Sequence, residues 1–277
     1  MRLATCLEVS IAVAAASHGY DAEEARKFAS LASVPYCEVL DAVLTWTCAA
    51  CSDANTPLVP GQIKIVDGGK KNATRILIGK LAYQNGCLMS FRGSDNFENW
   101  INDFEFWDIR PKDFDDCDGC RVHSGFYNIW KSVRRLALDA LREVGCVSQG
   151  KDNVLYITGH SLGAALTHLA MFTLHSAGYR IAKTYSYEAP RIGNTAFSAA
   201  FSSRFSRGSP VFRITHGMDP VPHVPPMFLG YEHVQTEVWY DSAGNYTVCD
   251  GAEDRACADR YWNTASLVLF HSGDHCG

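Results

Sequence analysis

The chain has 277 residues and a formal net charge of −5, with 47% hydrophobic and 20% charged residues. That balance excludes a disordered, collagenous or coiled-coil protein and suits a core-forming α/β chain. It offers no concentration of Lys and Arg for binding nucleic acid, and no apolar run reaches the roughly 20 residues of a membrane-spanning helix.

The N-terminus opens with Arg2, continues through Leu3–Leu7 and Ile11–Ala16, and ends in small residues. This is the layout of a secretory signal over 1–17, although Glu8 interrupts it; an ordinary N-terminal helix is the alternative. The rest, 18–277, shows no linker and reads as one domain. Ala25, Phe28, Ala29, Leu31 and Ala32 recur at helical spacing over 22–32. The eleven cysteines include two close pairs, Cys48 with Cys51 and Cys117 with Cys120, while Cys249 and Cys257 bracket a polar loop. The CxxC pairs lie much farther apart than the about 15–20 residues of a zinc ribbon, so disulfides and an oxidising compartment are expected rather than zinc. The sequons Asn72-Ala73-Thr74 and Asn245-Tyr246-Thr247 agree with export.

Residues 62–67 and 75–83 read as strands, followed by a turn at Tyr83-Gln84-Asn85-Gly86 and a returning strand Cys87–Phe91. A long amphipathic helix follows Gly125 and runs to about Val144. Val154–Thr158 is a short continuous apolar run, as in a strand covered on both faces. It leads into a helix from Ser161 to about Ala177. Strands at 184–187 and 211–215 and a helix at 197–205 complete an alternating pattern. That alternation predicts a mostly parallel central sheet flanked by helices.

Gly159-His160-Ser161-Leu162-Gly163 stands at the junction of the buried strand and an Ala-rich helix. A serine on so sharp a turn needs glycines two residues to either side, and the helix turns its electropositive N-terminus toward the hydroxyl. The alternative is a simple helix N-cap at Ser161. Such a nucleophile requires a base and an acid in the chain order Ser, acid, His. The downstream acids include Glu188, Asp219, Glu232, Glu237, Asp241, Asp250 and Asp274. Of these, Asp219 follows a strand and precedes Pro220-Val221-Pro222, where a triad acid belongs. Candidate bases are His223, His233, His271 and His275. The first two lie near the acid and read as structural, which makes His275 the favoured base and His271 the reserve. The Leu162 N–H supplies one oxyanion donor, and the turn Phe91-Arg92-Gly93-Ser94 is the place for a second, at Ser94.

With these residues placed, the chain resembles the fungal-type (class 3) lipases of the α/β-hydrolase superfamily, and their feruloyl esterase relatives, over roughly 25–277. The resemblance rests on blocks in the family's order. They are Phe91-Arg92-Gly93-Ser94 with Asn99-Trp100 and Asp103; Val122-His123-Ser124-Gly125-Phe126; and Thr158 to Ala165. Further on come Ala189-Pro190-Arg191-Ile192-Gly193-Asn194; Asp219-Pro220-Val221-Pro222 with Pro225-Pro226; and Gly230-Tyr231-Glu232-His233 with Glu237 to Tyr240.

The resemblance implies Ser161 as nucleophile, Asp219 as acid, and Ser94 and Leu162 as oxyanion donors. It implies a lid over 95–100, with Phe97 and Trp100 as apolar anchors beside Asn99. It also implies disulfides 48–51, 117–120 and 249–257. The stretch after Asp274-His275 is shorter than the family's, which suggests a chain cut short at its C-terminus. This leaves Cys37 with Cys276 or with no partner, and Cys87 and Cys146 unassigned. The expected protein is a secreted, monomeric triacylglycerol lipase. It would act on lipid esters at an oil–water or membrane surface and need no metal or organic cofactor. Feruloyl esterase, phospholipase A1 and a non-catalytic lipid-binding protein are the alternatives.

Overall fold

The structure is a computed structural model that describes residues 19–54, 57–68, 74–82, 85–94, 107–114, 116–148, 154–205, 210–234 and 236–261. The first helix, α1 (Ala22–Ser33), is capped by the Asp21 side chain, which accepts the N–H groups of Glu23 and Glu24. Short helices α2 (Leu40–Leu44) and α3 (Ala49–Asp53) follow. Three strands come next: β1 (Leu58–Asp67), β2 (Arg75–Leu81) and β3 (Gly86–Phe91). β1 begins four residues earlier than the sequence pattern suggests. Pro60 and Gly61, which argue against a strand, sit at a register shift between Leu58 and Ile63 on a sheet edge, where such residues are tolerated.

The second half alternates as its periodicity predicts. Helix α4 (Ser124–Glu143) precedes β6 (Val154–His160), which leads into α5 (Leu162–Ser176). Then come β7 (Arg180–Ile181), β8 (Thr184–Tyr187), α6 (Thr195–Phe205), β10 (Val211–His216), β12 (Glu237–Tyr240) and β13 (Tyr246–Val248). Helix α6 begins two residues before Phe197, because the Asn194 side chain accepts the Phe197 N–H at 3.1 Å and caps its first turn.

Among the described residues the main sheet runs β1-β2-β3-β6-β8-β10-β12-β13, with β7 beside β6. The stretch from β3 to β12 is parallel throughout. Strands β2 and β13 add antiparallel pairings near the edges. The central sheet is therefore mostly parallel and flanked by helices, as the alternating pattern predicts. Ile76, Ile78, Met89, Phe91 and Ile157 pack with α4 and α5 in the largest core. Leu77 and Leu88 turn the other way, toward α1 and α3. Phe28 of α1 packs with Tyr185 and Phe212. Burial on both faces explains the nearly continuous apolar reading of β3 and β6. A small second sheet, β11 (Tyr231–Glu232), β9 (Gly193–Asn194), β5 (Val122–His123) and β4 (Asp108–Ile109), lies apart from the first.

Among the described residues four disulfides link Cys48–Cys51, Cys87–Cys146, Cys117–Cys120 and Cys249–Cys257. The Cys87–Cys146 bond fills the pairing that the sequence left unassigned. It fastens β3 to the turn after α4. Cys37 has no disulfide partner among the described residues.

Candidate active site

The chain turns from β6 into α5 at a single residue. Ser161 has φ 57° and ψ −126°, a region that is nearly glycine-only and strained for any side chain. Its N–H donates to Tyr187 O at 2.9 Å, and its own carbonyl accepts the Ala164 N–H at 2.9 Å as α5 begins. The residue is 1% exposed. Among the described residues its Oγ has no hydrogen-bond partner.

The surrounding glycines leave room for this turn. A Cβ on Gly159 would stand 2.5 Å from Gly163 O and 2.9 Å from Thr167 Oγ1, the collision across the elbow that the motif implies. The crowding at Gly163 has a different source: its Cβ position falls on the carbonyl of Phe91 in β3. Gly93, in the turn after β3, lies against the serine itself, where an added Cβ would be 3.1 Å from Ser161 Cβ and 2.8 Å from His160 O. Tyr36 fastens this turn. Its hydroxyl accepts the Gly93 N–H at 2.8 Å and lies 3.0 Å from His160 Nδ1. Ser94 is the next residue in this turn, and Leu162 is the first residue of α5, whose positive end begins at the serine.

Asp219 follows β10, with β8 lying between that strand and β6. Two strand spacings amount to about 10 Å, which separates the ends of β6 and β10. Asp219 is 2% exposed. Its Oδ1 accepts the Val221 N–H at 2.9 Å, so the Asp-Pro-Val-Pro turn orients the carboxylate.

Of the candidate bases, His233 is buried with Nε2 2.7 Å from Pro222 O. Burial, with Arg213 and Arg191 nearby, pushes its pKa well below the ordinary value. It is a neutral structural ring, as its place near the acid implies. His223 is also buried, and its carbonyl accepts from Arg191 at 2.7 Å. His271 and His275, the residues Phe97, Asn99 and Trp100 expected in a lid, and the 1–17 segment lie outside the described residues.

Sequence reasoning weighed Glu188 only as a candidate triad acid and preferred Asp219; Glu188 follows β8, the strand between those that lead to Ser161 and Asp219, and is hydrogen-bonded to Asp219. Its one signal was its position directly after a strand. Glu237, Cys249 and Cys257 cluster closely enough to suggest a metal site. Both sulfurs are tied in a disulfide, which removes the thiolates a metal would require.

A nucleophile elbow at the carboxyl end of a mostly parallel sheet defines the α/β-hydrolase class. The sequence model of "Lipase (class 3)" matches residues 88–229, a little over half of the chain. The chain belongs to the class 3 lipase family.

A secreted mono- and diacylglycerol lipase A from Penicillium cyclopium is 40% identical over 164 residues, covering 59% of this chain and 51% of its own length. The chain thus spans about half the length of that relative. Lipase II from Rhizopus niveus superposes with a TM-score of 0.74 at 26% identity, over 91% of this chain and 92% of its own. A triacylglycerol lipase whose catalytic centre is formed by a serine protease triad gives a TM-score of 0.71 at 26% identity, over 91% and 92%.

Proposed function

We propose that the protein is a secreted lipase that cleaves acylglycerol esters through an acyl-serine intermediate. The observation that carries the reading is the strained, buried Ser161, with the Gly93–Ser94 turn pressed against it and the buried Asp219 two strands away. In this scheme Ser161 Oγ attacks the ester carbonyl while His275 takes its proton. Asp219 orients the imidazole and stabilises its charged form. The N–H groups of Leu162 and Ser94 hold the developing oxyanion, and loss of one such donor lowers the rate by about 10²–10³. His275 then protonates the departing glycerol, and water hydrolyses the acyl-enzyme.

Three observations support a lipid substrate. Phe228, Leu229 and Met218, around and after the Asp219 turn, are exposed, as is Trp107 before β4. The relatives are named lipases. No helix among the described residues is long and apolar enough to cross a membrane, so these residues suit contact with a lipid surface rather than insertion. Phe97, Asn99 and Trp100 are assigned to a lid over the serine.

The test is hydrolysis of tributyrin above and below its solubility limit, with Ser161→Ala as control. A rate that rises on emulsion formation and vanishes in the variant is the expected result. Turnover retained by Ser161→Ala removes the serine from its role. The name of the Penicillium relative favours a second reading, in which partial glycerides are the better substrates. Comparing monoolein with triolein decides between the two.

A further inference from the structure

The carboxyl end of the sheet holds a second buried acid that this scheme does not use. Glu188 is the first residue after β8, the strand between the one that delivers Ser161 and the one that delivers Asp219. Its backbone lies at φ 48°, a left-handed conformation that few residues with side chains adopt. Both neighbouring strands hold it there. The Ser161 N–H donates to the carbonyl of Tyr187, one residue before, and the Glu188 N–H donates to Ile214 O, each at 2.9 Å. The side chain is buried and hydrogen-bonded to Asp219, while its Oε2 has no partner among the described residues.

Two carboxyl groups in contact and out of water do not both ionise, so one proton stays between them. Asp219 Oδ1 already accepts the Val221 N–H. Glu188 also accepts a backbone hydrogen bond at His216, but its Oε2 has no partner among the described residues. Burial first, then the charges of Asp219 and Glu237, hold the Glu188 proton well above the ordinary carboxylate range.

We propose that Glu188 is a positioning residue for the triad acid: as a neutral carboxylic acid it donates a hydrogen bond to the Asp219 carboxylate and fixes the rotation of that group. The inference rests on the reading of Asp219 as the acid that orients His275. The proton remains on Glu188 throughout, and the single negative charge remains on Asp219, where it serves the imidazolium. With Val221 and Glu188 both donating, the Asp219 carboxylate is held from two sides.

Two variants test this. Glu188→Gln keeps the shape, stays neutral and still offers an N–H donor. Glu188→Leu removes the donor. Kinetics on a soluble nitrophenyl ester, the rate of Ser161 phosphonylation and thermal stability are measured for each. The Gln variant is expected within about fivefold of the parent kcat. The Leu variant should lose about 10- to 100-fold in kcat, the worth of a hydrogen bond to a charged group, with KM little changed and phosphonylation slowed in parallel. Equal kcat in all three proteins overturns the proposal, as does equal loss in both variants.

Infrared difference spectroscopy covers the case in which the Leu variant fails to fold. A protonated-carboxyl band present in the parent and lost in Glu188→Gln supports the acid pair, and its absence from the parent overturns it. A parent that neither hydrolyses esters nor takes up the phosphonate sinks the lipase reading, while the infrared band still decides whether the pair exists.

Discussion

The carbonyl oxygen of Phe91 occupies the space in which a Cβ on Gly163 would stand. The last residue of β3 and the second residue of α5 are therefore in direct backbone contact. This places the turn that carries Ser94 against the elbow that carries Ser161. Gly163→Ala must push the two apart, and neither a strand nor a helix start relaxes easily. We expect a loss of about 1–3 kcal/mol in stability, the usual range for overpacking, and a fall in kcat of at least about 100-fold as the proposed oxyanion donors separate from the hydroxyl. Urea unfolding and esterase kinetics on the same preparation check this. A Gly163→Ala protein with parental kcat would show that the contact does not set the site's geometry.

Strain at Ser161 makes a second prediction that runs in an unusual direction. The residue holds φ 57° and ψ −126°, where a side chain is unfavourable by about 1–3 kcal/mol and glycine is not. Ser161→Gly should therefore abolish turnover yet raise the unfolding free energy, by about 1 kcal/mol after the larger entropy of the unfolded glycine chain is subtracted. Ser161→Ala should abolish turnover without that gain, since alanine keeps the Cβ. If the Gly variant is less stable than the Ala variant, the strain has been misread.

The parts of this site that could be read in the sequence are those written in local pattern. Val154 to Thr158 is apolar because β6 is covered on both faces, and Gly159 and Gly163 are small because backbone passes where their side chains would be. What was hidden depends on pairing between distant segments. Cys87 and Cys146 meet because β3 packs beside the end of α4, and no spacing announces it. The strands β4, β5, β9 and β11 are two residues each, too short for any period to show. Glu237 opens β12 as a buried acid, hydrogen-bonded by Thr215 at 2.7 Å and with Arg213 at 3.8 Å, and a charged residue disguises a covered strand. Glu188 takes its place only from the order β6-β8-β10, which sets it between the strands that lead to Ser161 and Asp219.

Acid sensitivity should have an identifiable source in α5. His168 is wholly buried, with Nε2 3.0 Å from Ser186 Oγ and its ring edge-on to Phe201. Burial, with a smaller contribution from Arg213, lowers its pKa to about 3. Unfolding restores the ordinary value near 6.5. Between those limits the unfolded chain binds a proton that the folded one refuses, so stability falls with decreasing pH by about 1.4 kcal/mol per unit. His168→Gln retains a partner for Ser186 and does not titrate. It should be less stable than the parent at pH 7.5, with the gap closing as the pH drops from 6.5 toward 4.5. Subtracting the two curves cancels every other titrating group, and a difference that stays constant with pH would refute the assignment.

The turn that presents Asp219 is anchored from behind by Arg191, which has no exposed surface. Its Nε and Nη2 grip Glu253 at 2.8 and 2.7 Å, and Nη1 donates to the carbonyls of His223 and Pro225. Nη2 also lies 3.3 Å from Asp259. Burial works against ionisation at Asp259, but His223 and Arg191 outweigh it and hold that carboxyl below its usual range. Its contribution is therefore present above an unfolded pKa near 3.9 and lost as pH falls through the lower folded value. Arg191→Met leaves Glu253 and two carbonyls without their donor, and should cost about 3–5 kcal/mol, the usual consequence of breaking one side of a buried pair. The double variant Arg191→Met with Glu253→Leu removes the stranded charge as well, so it should be more stable than the single one. Chemical denaturation of the four proteins in the cycle measures this. A double variant less stable than Arg191→Met would mean that Glu253 supports the fold on its own, through the His233 N–H that it accepts at 2.7 Å, more than through the arginine.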